Sequence, residues 1–272
     1  MSCVSADAKQ RFDDTGVMVL PGVIPADDVT MLREECAYFL GYADARMDLE
    51  GRPFNPITVR GRRYFVNGLH RYSDRLWRFL FGGVMADVCR AALGDDAVLF
   101  NEQWVVKGAD EGMAFSWHQD SGYVKARDPE TTNPPYLTCW CTLDDVSVVN
   151  GTVHVLGLDE GGTRDTIVTH GHDRETNDLI GYTGDLAGAA IEAPAGSVIA
   201  FSSYNLHRSG TNSTDAMRRV YLAQYAAAPI VHSRTGEQFN LAVPFLRDGE
   251  VVYDRAGDTA ANWGGIDAPS SN

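Results

Sequence analysis

From Ala97 onwards the chain is written in short apolar runs separated by turn-forming segments. The runs are 97–107, 113–120, 136–146, 151–158, 196–203 and 218–230. Between them stand "KARDPETTNPP", "VVNG", "APAG" and "SGTNSTDA", rich in the Pro, Gly, Asn and Asp that end strands. The earlier residues follow another period. A short strand at 16–24, broken by Pro21-Gly22, precedes a helix over 25–43, where Val29, Leu32, Cys36, Phe39 and Leu40 recur at helical spacing behind Pro25 and two acids. After a polar stretch (43–63), a second helix is predicted from its cap at Ser73 to Gly94, with Gly82-Gly83 weakening its middle. Helical padding over about 1–95 and a β core over about 97–230 predict one domain, 1–272. Its class is an all-β core with flanking helices, a double-stranded β-helix (jelly roll, cupin-like) rather than a parallel sheet. The polar, glycine-rich segment 159–190 reads as an excursion over a site, and the tail from about 254 as loosely held.

Composition narrows the partners more than the fold. Hydrophobic residues make up 44% and charged ones 22%, ordinary for a soluble protein, and no long apolar span or signal peptide is expected. A formal charge of −14 argues against nucleic acid and anionic membranes as partners and leaves a small-molecule substrate. Nothing in the pattern sets an oligomeric state. Five cysteines form no regular framework, and Cys139 and Cys141 are too close along a strand to bridge, so a reducing, cytoplasmic setting is expected.

Candidate chemistry starts at "FSWHQDSGY" (115–123). On a strand, His118 and Asp120 point to the same face, yet a bare His-x-Asp pair is weak evidence. His207 follows the apolar run 196–203, and Arg218 comes eleven residues later. Two histidines and one carboxylate are the protein ligands of a facial non-haem Fe(II) site, and an arginine beside them offers a planar fork to a carboxylate. Other titratable residues have blander readings. His170, His172 and Asp173 lie in a polar loop and read as a solvated loop or lid; His154 reads as a sheet-face or core histidine. Arg60, Arg62 and Arg63 read first as a solvated loop pairing with surface acids, and second as a group steering an anionic substrate. Trp104, Phe115, Trp117 and Tyr123 surround the proposed metal strand, and those on alternate faces divide between core and pocket.

Four segments then carry a family resemblance: "WHQDSGY" (117–123), "CWCTLDDVSVVNGTVHVL" (139–156), "PAGSVIAFSSYNLHRSGTN" (194–212) and "RRVYLAQY" (218–225). Over about Leu99 to Tyr225 the chain resembles the phytanoyl-CoA dioxygenase-like family of Fe(II)/2-oxoglutarate-dependent oxygenases, and "GVMVLPGVIPADDVTMLREE" resembles that family's opening strand and helix. The resemblance implies His118, Asp120 and His207 as metal ligands, Arg218 on the far carboxylate of 2-oxoglutarate, Ser209 in support, Lys107 as a basic residue facing the cosubstrate and Trp140 as the aromatic beside it. Tyr123, Trp104, Gln119 and Arg63 are the candidate substrate contacts. Arg219, adjacent to Arg218, leaves open which guanidinium faces inward, and "GLDEGG" (157–162) replaces the family's Pro-Gly-Ser-His-like turn. The implied activity is oxidation of a small molecule, with Fe(II), 2-oxoglutarate and O2, in bacterial secondary metabolism. Hydroxylation is the default outcome, since an aspartate at 120 argues against halogenation. Desaturation, cyclisation, epimerisation, or a non-redox cupin-like metalloenzyme are the alternatives.

Overall fold

The computed structural model describes residues 2–110 and 112–258. The chain opens with α1 (Ala6–Thr15), β1 (Val17–Leu20) and α2 (Ala26–Glu50). β2 (Arg63–Asn67), α3 (Leu76–Leu80) and α4 (Gly83–Leu93) lead to β3 (Ala97–Lys107) and β4 (Phe115–His118). Next come α5 (Asp120–Arg127), β5 (Leu137–Thr142) and β6 (Val153–Val155). The excursion holds the short strands β7 (Gly171–His172), β8 (Leu179–Ile180) and β9 (Ala189–Ala190). β10 (Val198–Ser202), β11 (His207–Ser209), β12 (Arg218–Ala226), β13 (Val243–Arg247) and β14 (Glu250–Val251) complete it.

Two antiparallel sheets make the jelly roll. The larger runs β1-β10-β5-β12-β3-β13-β14, with β2 also paired to β3, and the smaller runs β4-β11-β6-β9. The central strands β5 and β10 of the large sheet are covered on both faces, which is why they read as continuous apolar runs. Alternation still sorts their side chains. On β5, Leu137, Cys139 and Cys141 pack under the helices with Leu32, Phe39 and Met85, while Trp140 faces the small sheet with Phe115 and Phe201. On β12, Tyr221, Ala223 and Tyr225 face the helices, and Val220 and Leu222 face inward.

The helical region departs from expectation in three places. α2 continues to Glu50, seven residues past the expected end at 43. The second predicted helix is two, split at Gly82, where a Cβ would lie 2.5 Å from the Arg78 carbonyl oxygen. The cap position of the first piece is Arg75 and not Ser73, although Ser73 Oγ still accepts from the amides of Arg75 and Leu76 at 3.0 and 3.1 Å. α1 buries none of its residues, so no apolar stripe announced it. Strands β2 and β13 were also unpredicted.

Of the expected loose tail, 259–272 lies outside the described residues. Its beginning is held: Asp258 accepts from Arg71 Nε at 2.9 Å and faces His70 Nε2 at 3.6 Å, and Tyr253 stacks on Phe81 with ring centroids 3.6 Å apart. Burial alone would raise the Asp258 carboxyl, but His70 and Arg71 outweigh it and hold it at about 2. An unfolded aspartate titrates at about 3.9, so this group's stabilisation is complete above that pH and is lost as pH falls toward 2. Asp258→Asn is expected to cost about 2 kcal/mol at pH 7, several degrees of thermal midpoint. In melts taken from pH 4 downward the gap from wild type should narrow.

Candidate active site

The small sheet brings the two histidines together. His118 ends β4 and His207 begins β11, and the two are direct partners in the antiparallel register, their ring centroids 4.1 Å apart. Asp120 arrives differently from the expected run of strand. β4 stops at His118, Gln119 takes an extended backbone, and Asp120 is the first residue of α5. The turn into the helix, not a shared strand face, carries its carboxylate back: Oδ1 lies 3.8 Å from His118 Nε2 and 3.7 Å from His207 Nε2.

The hydrogen bonds around these three side chains leave their inner atoms open. His118 Nδ1 donates to the Ser116 carbonyl at 2.8 Å and His207 Nδ1 to that of Asn205 at 3.1 Å, so both Nε2 lone pairs face the shared point. Asp120 Oδ2 accepts from Thr138 Oγ1 at 2.5 Å and Gln224 Nε2 at 3.0 Å, which leaves Oδ1 free. Candidate ligand atoms from all three lie within 4.8 Å of one another. Burial and the neighbouring His207 push the His118 imidazole well down, so it stays neutral and able to bind a cation. The set suits a divalent metal.

A cavity of about 550 Å³ opens before them. At one end Arg63, Lys107 and Arg218 stand side by side across β2, β3 and β12. Arg63 pairs with Asp178 at 2.9 Å, and Lys107 Nζ donates to the Gly210 carbonyl. Arg218 is 1% exposed, and none of its three nitrogens has a hydrogen-bond partner among the described residues. Its guanidinium lies 5.0 Å over the Trp140 ring, and burial pushes it down to about 9. A guanidinium resists deprotonation and meets such a site by taking an anion. Arg219 points the other way, to Asp144 at 2.6 Å, so Arg218 is the inward residue. Ser209 and Trp140 line the same cavity.

The candidate substrate contacts divide. Tyr123 lines the cavity, its ring 5.6 Å from that of His118 and its hydroxyl without a hydrogen-bond partner among the described residues. Trp104 does not. Lys107 and Val105 face inward on β3, so Trp104 faces the helices, fully buried against Tyr221 with centroids 4.2 Å apart. Gln119 also leaves the cavity: its Nε2 donates to the Thr166 and Tyr204 carbonyls at 2.9 and 2.7 Å, and its Oε1 accepts from the Val168 amide. It fastens the excursion instead. Arg63 lines the cavity but is no solvated loop residue; besides Asp178 it donates to the Ile57, Ala114 and Thr176 carbonyls. Arg60 does pair with surface acids, Asp44 and Asp48.

The excursion covers the site, with His172, Asn177 and Leu179 on the cavity wall. His170 is half-buried and accepts from the Gln119 amide at 3.0 Å. Sequence reasoning missed Thr138 and Gln224, although a signal existed: Arg218, Val220, Leu222 and Gln224 share one strand face by their spacing of two.

Comparisons with known proteins give the family and the fold. The chain is 26% identical over 233 residues to L-proline trans-4-hydroxylase of Streptomyces griseoviridis, covering 79% of this chain and 84% of the relative. It is 30% identical over 118 residues to ectoine dioxygenase of Sphingopyxis alaskensis, covering 43% and 37%. Among solved structures, EctD from S. alaskensis matches with TM-score 0.67 at 22% identity, over 89% of this chain and 84% of that one. EvdO2 of Micromonospora carbonacea var. aurantiaca, complexed with 2-oxoglutarate, matches with TM-score 0.63 at 23% identity, over 86% and 95%. The sequence model of Phytanoyl-CoA dioxygenase (PhyH) spans residues 12–220, from α1 to the third residue of β12, so His118, Asp120, His207 and Arg218 lie inside the match, while the rest of β12, β13 and β14 lie beyond it. The chain therefore belongs to the phytanoyl-CoA dioxygenase family, as an iron(II)- and 2-oxoglutarate-dependent oxygenase.

Proposed function

We propose that this protein hydroxylates a C–H bond of a small organic molecule, with His118, Asp120 and His207 holding Fe(II) and Arg218 holding the far carboxylate of 2-oxoglutarate. One arrangement carries the reading: three candidate ligand atoms converge on a cavity that also contains a buried, unpartnered guanidinium. Fe(II) held there would supply oxidative chemistry in which dioxygen and 2-oxoglutarate are consumed and succinate and carbon dioxide are left. The chain's own residues position and exclude. The Ser116 and Asn205 carbonyls hold the two imidazoles in the tautomer that presents Nε2. Arg218, stacked on Trp140, offers its fork, with Ser209 and Lys107 beside it. Phe65, Val105, Phe115, Phe201 and Leu222 form apolar walls that keep water from the reacting carbon. A non-redox metalloenzyme on this barrel would have no use for Arg218.

The relatives support a tailoring role on small molecules: one is a proline hydroxylase, and a solved neighbour is a carbocyclase from nogalamycin biosynthesis. Among the described residues no helix is long and apolar enough to cross a membrane. All five cysteines are free, four of them buried, which supports a reducing, cytoplasmic setting.

The test is succinate formation from 2-oxoglutarate by protein loaded anaerobically with Fe(II), then given air and a panel of small molecules. Succinate above an iron-only control supports the proposal; its absence throughout refutes it. The partners of Asp120 give a finer check. Gln224→Leu removes one donor from Oδ2 and frees the carboxylate to swing. Iron affinity is expected to fall roughly 10- to 100-fold, read by competition with a chelator.

A further inference from the structure

The charges of the cavity do not match those of the chain. The protein carries a formal charge of −14, yet Asp120 is the only acid among the described residues lining the cavity, against Arg63, Lys107, Arg127, Arg208 and Arg218. Arg63 is neutralised by Asp178. Lys107 and Arg218 are register partners at the cosubstrate end. Arg208 lies over Trp117, 5.2 Å from the ring, and its guanidinium reaches His154 Nδ1 and the Ala187 carbonyl, 3.5 Å from each. That leaves Arg127, which has no ion pair or hydrogen bond among the described residues. Its guanidinium is steadied 4.3 Å over the Phe239 ring. Phe239 packs with Phe100, whereas Arg218 pairs with Lys107; seven residues of extended strand, roughly 23 Å, separate those two positions on β3. Arg127 and Arg218 therefore stand at opposite ends of the cavity.

α5 draws the line between metal site and anion site. Asp120, Tyr123 and Arg127 are spaced three and then four apart, which puts them on one helix face, and all three line the cavity. A rise of about 1.5 Å per residue sets the Arg127 backbone roughly 10 Å beyond that of Asp120. Between them the Tyr123 hydroxyl is buried and has no hydrogen-bond partner among the described residues, a costly state that a ligand acceptor would relieve.

We infer that the substrate is a small anion whose carboxylate or phosphate is taken by Arg127, and whose acceptor nearer the metal is taken by the Tyr123 hydroxyl. This rests on the oxygenase reading above and adds the substrate's charge. The separation along α5 also places the oxidised carbon several bonds away from the anionic group. Of Arg60, Arg62 and Arg63, the basic residues that sequence alone brings forward for an anion, Arg60 and Arg63 are paired with acids, and Arg62 does not line the cavity.

The holoenzyme, loaded with Fe(II) and saturating 2-oxoglutarate under argon, is titrated with small carboxylic acids and their primary amides, and with phosphate monoesters and their parent alcohols. Ligand-observed NMR reads the affinity. At least one anion is expected to bind about tenfold or more tightly than its neutral counterpart, the effect of one charge-assisted pair, and the arm in which this happens assigns the headgroup. Arg127→Gln is expected to erase the preference while keeping affinity for the neutral counterpart, and Arg127→Lys to restore part of it. Tyr123→Phe should weaken anion and neutral counterpart alike. A panel in which no anion outbinds its neutral partner, or a preference that survives in Arg127→Gln, overturns the inference; unchanged binding by Tyr123→Phe removes the tyrosine from it. Failure of the oxygenase reading is separately visible, as wild-type protein that takes up no stoichiometric iron.

Discussion

His207→Ala is expected to lose stoichiometric iron and to lower succinate formation by more than about 100-fold, beyond the range set by residues that only orient ligands. The reason is the small number of groups involved. Three side chains converge, and with His207 gone the remaining pair, His118 and Asp120, cannot define a facial site. The fold should survive. β11 pairs with β4 and β6 through its backbone, and the lost ring chiefly contacts Phe201 and His118. Iron content after desalting, succinate rate and a circular-dichroism melt separate loss of metal from loss of structure. His170→Ala is the matched control: that imidazole already accepts from the Gln119 amide and lies outside the converging set, so the variant should keep its iron. A His207→Ala protein that retains iron and a tenth or more of wild-type turnover would place the metal elsewhere.

The converging set of His118, Asp120 and His207 was legible because coordination chemistry restricts the residue types and the surrounding segments resemble one family, and Arg218 because it follows His207 by eleven residues within that resemblance. The geometry joining them was less legible. His118 and Asp120 were correctly paired for the wrong reason, since the chain leaves the strand after Gln119 and the approach of Asp120 depends on a helix start. Trp104 could have been excluded from sequence alone. With Lys107 facing inward, every second residue of β3 follows it, and Trp104 falls on the opposite parity. Gln119 turns away because its amide is taken up by the Thr166 and Tyr204 carbonyls and the Val168 amide, contacts that depend on the closed fold. The burial of Arg63 carried no such signal. It depends on Asp178, distant in sequence within the excursion, and only the closed fold brings them together. α1 was invisible because a helix with no buried residue has no period to read.

Arg218→Met is expected to act in opposite directions on binding and on stability. Affinity for 2-oxoglutarate should fall by more than about 100-fold, since breaking a buried ion pair costs roughly 3–5 kcal/mol. The protein without cosubstrate should melt several degrees higher than wild type. A buried charge with no partner costs several kcal/mol, and each kcal/mol moves the midpoint by about 2–4 °C in a chain of this size. The same strain that pushes the guanidinium down to about 9 is relieved by an apolar side chain of similar length resting on Trp140. Wild type should therefore gain thermal stability as 2-oxoglutarate is added and Arg218→Met should gain none. Arg218→Lys keeps the charge but not the fork, so its affinity should fall between the two. Arg219→Met is the contrast: it breaks a half-exposed pair with Asp144, worth under about 1 kcal/mol, and leaves cosubstrate binding intact. If Arg218→Met melts below wild type, or still gains stability from 2-oxoglutarate, then the guanidinium answers some other group and the cosubstrate end of the cavity has been misplaced.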